Sequence, residues 1–192
     1  MTSYRIFREL LQIPWIIFAL YWLVSAFKTR RTRKSESLLS RYGVMLIVAC
    51  GFAFLFDSDT GAGWLRLRFA SHDLAVEIAG VALTWLGIGL TLWARFHLGE
   101  NWSAKVTIKE GHELIRSGPY AHLRHPIYSG LLLAVAGSAL EIGEVRCLIG
   151  MAIIAVGFSI KARKEESMLR EQFGSAFDEH RKHTGFLLPR FR

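Results

Sequence analysis

The sequence predicts an all-α, polytopic membrane protein with about five transmembrane helices. The last two form a tight hairpin, and a C-terminal amphipathic helix follows on the cytoplasmic side. Three observations predict this. Of 192 residues, 52% are hydrophobic. They sit in long uninterrupted blocks rather than in alternation, which is the pattern of bilayer spans and not of a water-soluble core. The basic residues flank those blocks, so the net charge of +8 points to anionic lipid head groups rather than to nucleic acid.

The first apolar run is Leu10–Phe27, with Pro14 near its start, where a missing N–H does least harm. The basic loop Lys28–Lys34 follows. The second run, Tyr42–Phe56, is short for a full span, and Gly43 and Gly51 allow close approach of a neighbour. The mixed-charge loop Asp57–Asp73 leads into the third run, Leu74–Leu98, which carries Glu77 near one end and Gly80, Gly87 and Gly89 along its length. After the polar segment Gly99–His125 come Ile127–Leu140 and Val145–Ile160, separated only by Glu141–Glu144, which is the signature of a helical hairpin. The tail Lys161–Arg192 is basic, with an apolar stripe at Leu169, Phe173 and Phe177 that Gly174 interrupts. Cys50 and Cys147 each lie in an apolar block and read as plain core residues. The start lacks a small-residue cleavage site, so its apolar run reads as a retained anchor. The whole chain reads as one integral-membrane domain over 1–192, with two N-terminal helices in 1–73 and the functional part in 74–192.

Charge sets the orientation. With the N-terminus outside, every basic residue of the 24 except Arg5, Arg8, Arg66, Arg68 and Arg146 falls on the cytoplasmic side. That topology places two polar segments on the same face. One is Gly118–Gly130, which packs Tyr120, His122, Arg124, His125 and Tyr128 against the mouth of the fourth helix. The other is Lys161–Glu166 at the end of the fifth. Pro126 suits a first helical turn, whose free N–H groups attract an anion. Tyrosine rings are good neighbours for an organic cation, and Arg124 can grip a carboxylate or phosphate with two prongs. A glutamate of the pair Glu165–Glu166 can take ribose hydroxyls or an ammonium group. The histidines show no metal spacing, so no metal is expected, and phosphate loops and nucleophile elbows are absent.

These motifs, Gly118-Pro119-Tyr120, Arg124-His125-Pro126-Ile127-Tyr128-Ser129-Gly130 and Glu165-Glu166-x-x-Leu169-x-x-x-Phe173-Gly174, resemble the isoprenylcysteine carboxyl methyltransferase family. The likeness is to its small five-helix prokaryotic members, over roughly Leu98–Arg192. Phospholipid N-methyltransferases are more distant relatives, and integral-membrane sterol reductases, which use NADPH, carry a similar RHPxY element. A non-enzymatic lipid-binding protein is the remaining alternative. The resemblance implies S-adenosylmethionine as methyl donor, S-adenosylhomocysteine as product, and a lipophilic or lipidated acceptor, with a carboxylate ahead of a lipid amine. It implies that His112, Glu113, Leu114, Ile115, Tyr120, His125, Pro126, Ile127, Tyr128 and Glu165 line the donor. Arg124, Lys161 and Glu166 are the expected catalytic set, and Lys161 stands where the family usually has an arginine. A lysine keeps the charge but loses the planar fork. The location implied is a prokaryotic inner membrane, with the site cytoplasmic.

Overall fold

The computed structural model describes residues 2–25, 32–35, 38–99, 107–109 and 114–190. The described residues form six α-helices: α1 Thr2–Ser25, α2 Leu38–Phe56, α3 Leu74–Leu98, α4 Pro126–Ile142, α5 Val145–Phe173 and α6 Ser175–His183. Four contain segments long and apolar enough to cross a membrane: Ile6–Ser25, Leu38–Phe56, Leu74–Leu98 and Val145–Phe173. Helix α4 is a shorter apolar helix. The architecture is that of an all-α polytopic membrane protein. A small antiparallel ribbon, β1 Thr32–Ser35 with β2 Thr107–Lys109, is the one pairing of strands among the described residues. Four residues are too few to show a period-two pattern in sequence.

Helix ends follow local chemistry. Asp73 caps α3 by accepting from the backbone N–H of Val76 at 3.0 Å. Pro126 opens α4, and Gly143 closes it in the left-handed region at φ 73°. Two helix starts depart from expectation. Thr2–Glu9 is helical, so Pro14 lies inside α1 rather than near its start, and the Leu10 carbonyl it frees accepts from Trp85 Nε1 of α3 at 3.1 Å. Leu38–Arg41 add a first turn to α2 and bring it to a spanning 19 residues.

The helices pack as two close pairs, α3 with α4 and α2 with α5. Glycines at a spacing of seven face each other on α3 (Gly80, Gly87) and α4 (Gly130, Gly137). A Cβ on Gly87 would stand 2.3 Å from the Ala134 nitrogen, and one on Gly137 would stand 2.5 Å from the Gly80 oxygen. The backbones therefore touch, as small residues permit in a membrane. Gly51 and Gly150 do the same for α2 and α5, where a Cβ on Gly150 would meet the Gly51 oxygen at 2.6 Å. Hydroxyls join the helices between these crossings. Thr84 Oγ1 donates to the Ala134 carbonyl at 3.3 Å, and Trp15 Nε1 donates to Ser138 Oγ at 3.1 Å, tying α1 to α4. Only Gly143 and Glu144 link α4 to α5, yet each helix packs chiefly on its other partner. Cys147 is buried in this core, whereas Cys50 is exposed on the outer face of α2, contrary to the expectation that both are core residues.

Length differences create the site. Helix α4 has 17 residues and α5 has 29, or about 26 Å against about 44 Å at 1.5 Å per residue. Their shared end is the short turn, so the far end of α5 stands well clear of the start of α4. Gly174, at φ 50°, then breaks the helix and sends α6 back. Phe177 is buried in that return, while Leu169 and Phe173 are half-buried.

Candidate active site

The start of α4 and the overhanging end of α5 meet at the end of the bundle where α1 and α3 finish. Arg95 marks that end by donating to the Ser25 carbonyl at 2.9 Å. Just before α4, Gly118 takes φ 57° and lies against the His97 ring. The turn that follows buries Tyr120, whose hydroxyl donates to the Ala94 carbonyl at 3.4 Å. Burial, then the nearby Glu165 charge, pushes the Tyr120 phenol up, so it stays a neutral donor.

His125 is the centre of the arrangement, with only 5% of its surface exposed. Its Nδ1 lies 3.5 Å from Glu165 Oε2, and its Nε2 lies 3.3 Å from Glu166 Oε1. One imidazole thus bridges two carboxylates. Burial works against its charge, but the hydrogen bonds to Glu165 and Glu166 outweigh it, and the His125 pKa is raised. Tyr128, one turn on, donates its hydroxyl to Glu165 Oε1 at 2.5 Å. Its ring is stacked with His125 at 5.8 Å and with Phe158 of α5 at 5.1 Å between centroids. Lys161 Nζ sits 5.8 Å from the centroid of the same ring.

Arg124 is engaged in a different way. Its Nε donates to Glu166 Oε1 at 2.5 Å, and its Nη1 donates to the carbonyls of Thr184 and, at 3.4 Å, of Arg181. Arg181 Nε reaches the other oxygen of Glu166 at 3.7 Å. Glu166 therefore answers to three cationic groups, while Glu165 answers to His125 and a phenol and keeps 25% of its side chain exposed, against 13% for Glu166.

The sequence-predicted residues Tyr120, Arg124, His125, Tyr128, Lys161, Glu165 and Glu166 come together here. Pro126 and Ile127 are buried in the first turn of α4, where the Ile127 carbonyl accepts from Thr91 Oγ1 at 3.3 Å. Leu114 is half-buried, and Ile115 packs on the central core. His112 and Glu113 lie outside the described residues.

The model of the isoprenylcysteine carboxyl methyltransferase (ICMT) family matches residues 80–171, which hold both polar segments of this site. Over that segment the chain belongs to that family. It is 26% identical over 178 residues to protein-S-isoprenylcysteine O-methyltransferase of Saccharomyces cerevisiae, covering 90% of this chain and 74% of that one. It is 28% identical over 121 residues to methanethiol S-methyltransferase of a Pseudomonas species, covering 57% of this chain and 45% of that one. The solved structure of a eukaryotic intramembrane Ras methyltransferase, ICMT, shares the fold, with TM-score 0.52 and 22% identity. That match covers 79% of this chain and about half, 51%, of the solved chain. The protein is thus an ICMT-family membrane methyltransferase, and methyltransferases of this family use S-adenosylmethionine.

Sequence reasoning missed several residues of this arrangement. Phe158 looks like one more apolar residue of α5. Arg181, Thr184 and Phe186 lie in a tail whose only visible pattern is the apolar stripe ending at Phe177. Gly185 and Pro189 could have signalled a turn there, but not what the turn packs against.

Proposed function

We propose that the protein methylates a lipophilic acceptor at the membrane face, with S-adenosylmethionine as donor, at the site built on His125, Tyr128 and Glu165. The observation that carries this reading is the His125 imidazole shared between two adjacent glutamates, of which one is locked and the other is left accessible beside a stack of rings. The donor set suits that ligand. Glu165 offers a carboxylate to an ammonium or to ribose hydroxyls, the α4 N-terminus offers N–H groups to a carboxylate, and the Tyr128 face suits a sulfonium. Leu114 and Ile115, with His112 and Glu113, belong to the proposed donor-binding set beside Tyr120, Pro126 and Ile127. The donor supplies an electrophilic methyl group that the acceptor takes by in-line displacement.

The chain's own task is alignment and exclusion of water, which lowers such a barrier by several kcal/mol. The Arg124–Glu166 pair holds the tail against α4 and α5, so we assign both residues to positioning rather than to proton transfer. Lys161, above the Tyr128 ring, is the cation placed to orient an anionic acceptor. A carboxylate acceptor fits best, because it needs no base and Glu166 is already engaged. A thiol is the second reading: the Pseudomonas relative is named for one, and a lysine point charge holds a thiolate as well as a carboxylate. The excess of basic residues at the site end supports a cytoplasmic site.

The test is calorimetric titration of S-adenosylhomocysteine into the full-length protein in detergent, beside Tyr128→Ala and Glu165→Ala. Saturable binding in the wild type, weakened about tenfold to a hundredfold by Glu165→Ala, is expected for loss of charge-assisted hydrogen bonds. A folded wild type that ignores this ligand and takes NADPH instead would sink the reading.

A further inference from the structure

The matched family segment ends at residue 171, but the chain does not leave the site there. After α6, the strap of residues 184–190 runs back across the start of α4. Leu123 and Gly185 form a parallel bridge. Gly185 N donates to the His122 carbonyl at 3.0 Å, and Arg124 N donates to the Gly185 carbonyl at 2.9 Å. One turn into α4, Ser129 Oγ donates to the Leu187 carbonyl at 2.8 Å. Backbone bonds thus pin the strap on both sides of Phe186, and they fix where its ring goes.

That ring stands among the cations of the site. It meets His125 edge-on, with centroids 5.3 Å apart and planes at 80°. The Arg124 guanidinium lies 5.7 Å from its centroid, and that of Arg163, on α5, lies 5.9 Å from it. Three cationic or proton-bearing groups from two stretches of chain, Arg124-His125 and α5, share one ring. An aliphatic side chain of similar volume would fill the space, but it would lack the ring quadrupole that favours such neighbours. Since His125 carries both Glu165 and Glu166, its orientation passes directly to the two carboxylates.

We propose that Phe186 is a positioning residue of the donor site, fixing the His125 imidazole and gathering the Arg124 and Arg163 guanidiniums, so that Glu165 is presented to the donor only when the tail strap is in place. The proposal rests on the donor-binding reading above. It makes aromaticity at position 186, and not bulk, the requirement for donor affinity.

The experiment compares Phe186→Leu, Phe186→Met and Phe186→Tyr in the full-length protein, by calorimetric titration with S-adenosylhomocysteine and by thermal melting without it. Both aliphatic variants are expected to bind about fivefold to tenfold more weakly, while Phe186→Tyr binds within about twofold of the wild type, as loss and retention of cation–ring contacts require. Two aliphatic variants keep the test open if one of them does not fold. Aliphatic variants that bind like the wild type would overturn the proposal, as would a tyrosine variant as weak as they are. A wild type that does not bind at all overturns the donor reading itself, which the wild-type titration shows separately.

Discussion

Two arginines make nearly the same contacts at opposite ends of the bundle. Arg146 places Nε 2.5 Å from Glu144 Oε2, and its Nη1 donates to the carbonyls of Phe54, Leu55 and Asp57 at the end of α2. Arg124 places Nε 2.5 Å from Glu166 Oε1, and its Nη1 donates to the carbonyls of Arg181 and Thr184 at the end of α6. Each satisfies orphan carbonyls at a helix C-terminus, where a cation also complements the dipole. What differs is the glutamate. Glu144 lies two residues from its arginine and closes a local loop. Glu166 lies 42 residues from Arg124 and also accepts from His125, which in turn reaches Glu165 and Tyr128. The same contact is a cap at one end and the anchor of a network at the other. The difference comes from what the carboxylate touches next.

Removing each arginine sharpens that contrast. Arg146→Ala strands a glutamate and three carbonyls, and is expected to cost about 3–5 kcal/mol of stability. Donor affinity per folded molecule should stay within about twofold, since nothing it touches belongs to the site. Denaturation and titration on the same sample check both halves. Arg124→Ala is expected to cost about 1.5–3 kcal/mol for loss of charge-assisted bonds. It should also weaken S-adenosylhomocysteine binding about tenfold or more, because the strap and Glu166 lose their common tie. An Arg124→Ala protein that melts early yet binds normally would break the comparison.

pH separates the two ends further. In the fold the His125 pKa is raised above its ordinary 6.5, with burial opposing and Glu165 and Glu166 prevailing. Its contribution to stability is therefore fully present below about pH 6.5 and is lost as pH rises through the raised value. His180 runs the other way. Burial first, then Arg116 and Arg124, lower its pKa, so it costs stability as pH falls below 6.5. Melting curves across pH 5–9 (a range of about four units spanning the ordinary histidine value) should show His125→Gln flattening the alkaline limb and His180→Phe the acid limb. Arg146→Ala should shift the whole curve without changing its shape. The smallest effect belongs to the middle of the bundle. Trp15→Phe loses one hydrogen bond to Ser138 and should cost about 1 kcal/mol, with donor binding untouched.

Much of the fold was legible because hydropathy is a local property. The bounds of α3 follow from its apolar run and from Asp73, and both halves of the site stand out as polar clusters beside apolar blocks. Helix α5 was read too short, since Lys161–Phe173 carries the charge that normally ends a span; here the same helix simply continues past the bundle. The pairing of α3 with α4 was only half legible. Gly80 and Gly87 suggest close approach on one helix, but nothing local says that Gly130 and Gly137 lie opposite them.

The sequence by itself determined the apolar stretch of each main helix, which end of the bundle carries the polar clusters, and the side chains that can meet there. Those follow from residue type and nearest neighbours. Only the tertiary structure decided that His125 would bridge Glu165 and Glu166, that Arg124 would be spent on holding the tail, and that Phe186 would return to the site. The physical reason is that these contacts join residues tens of positions apart. Their geometry depends on the glycine-set crossings of two helix pairs and on the overhang of α5 beyond α4.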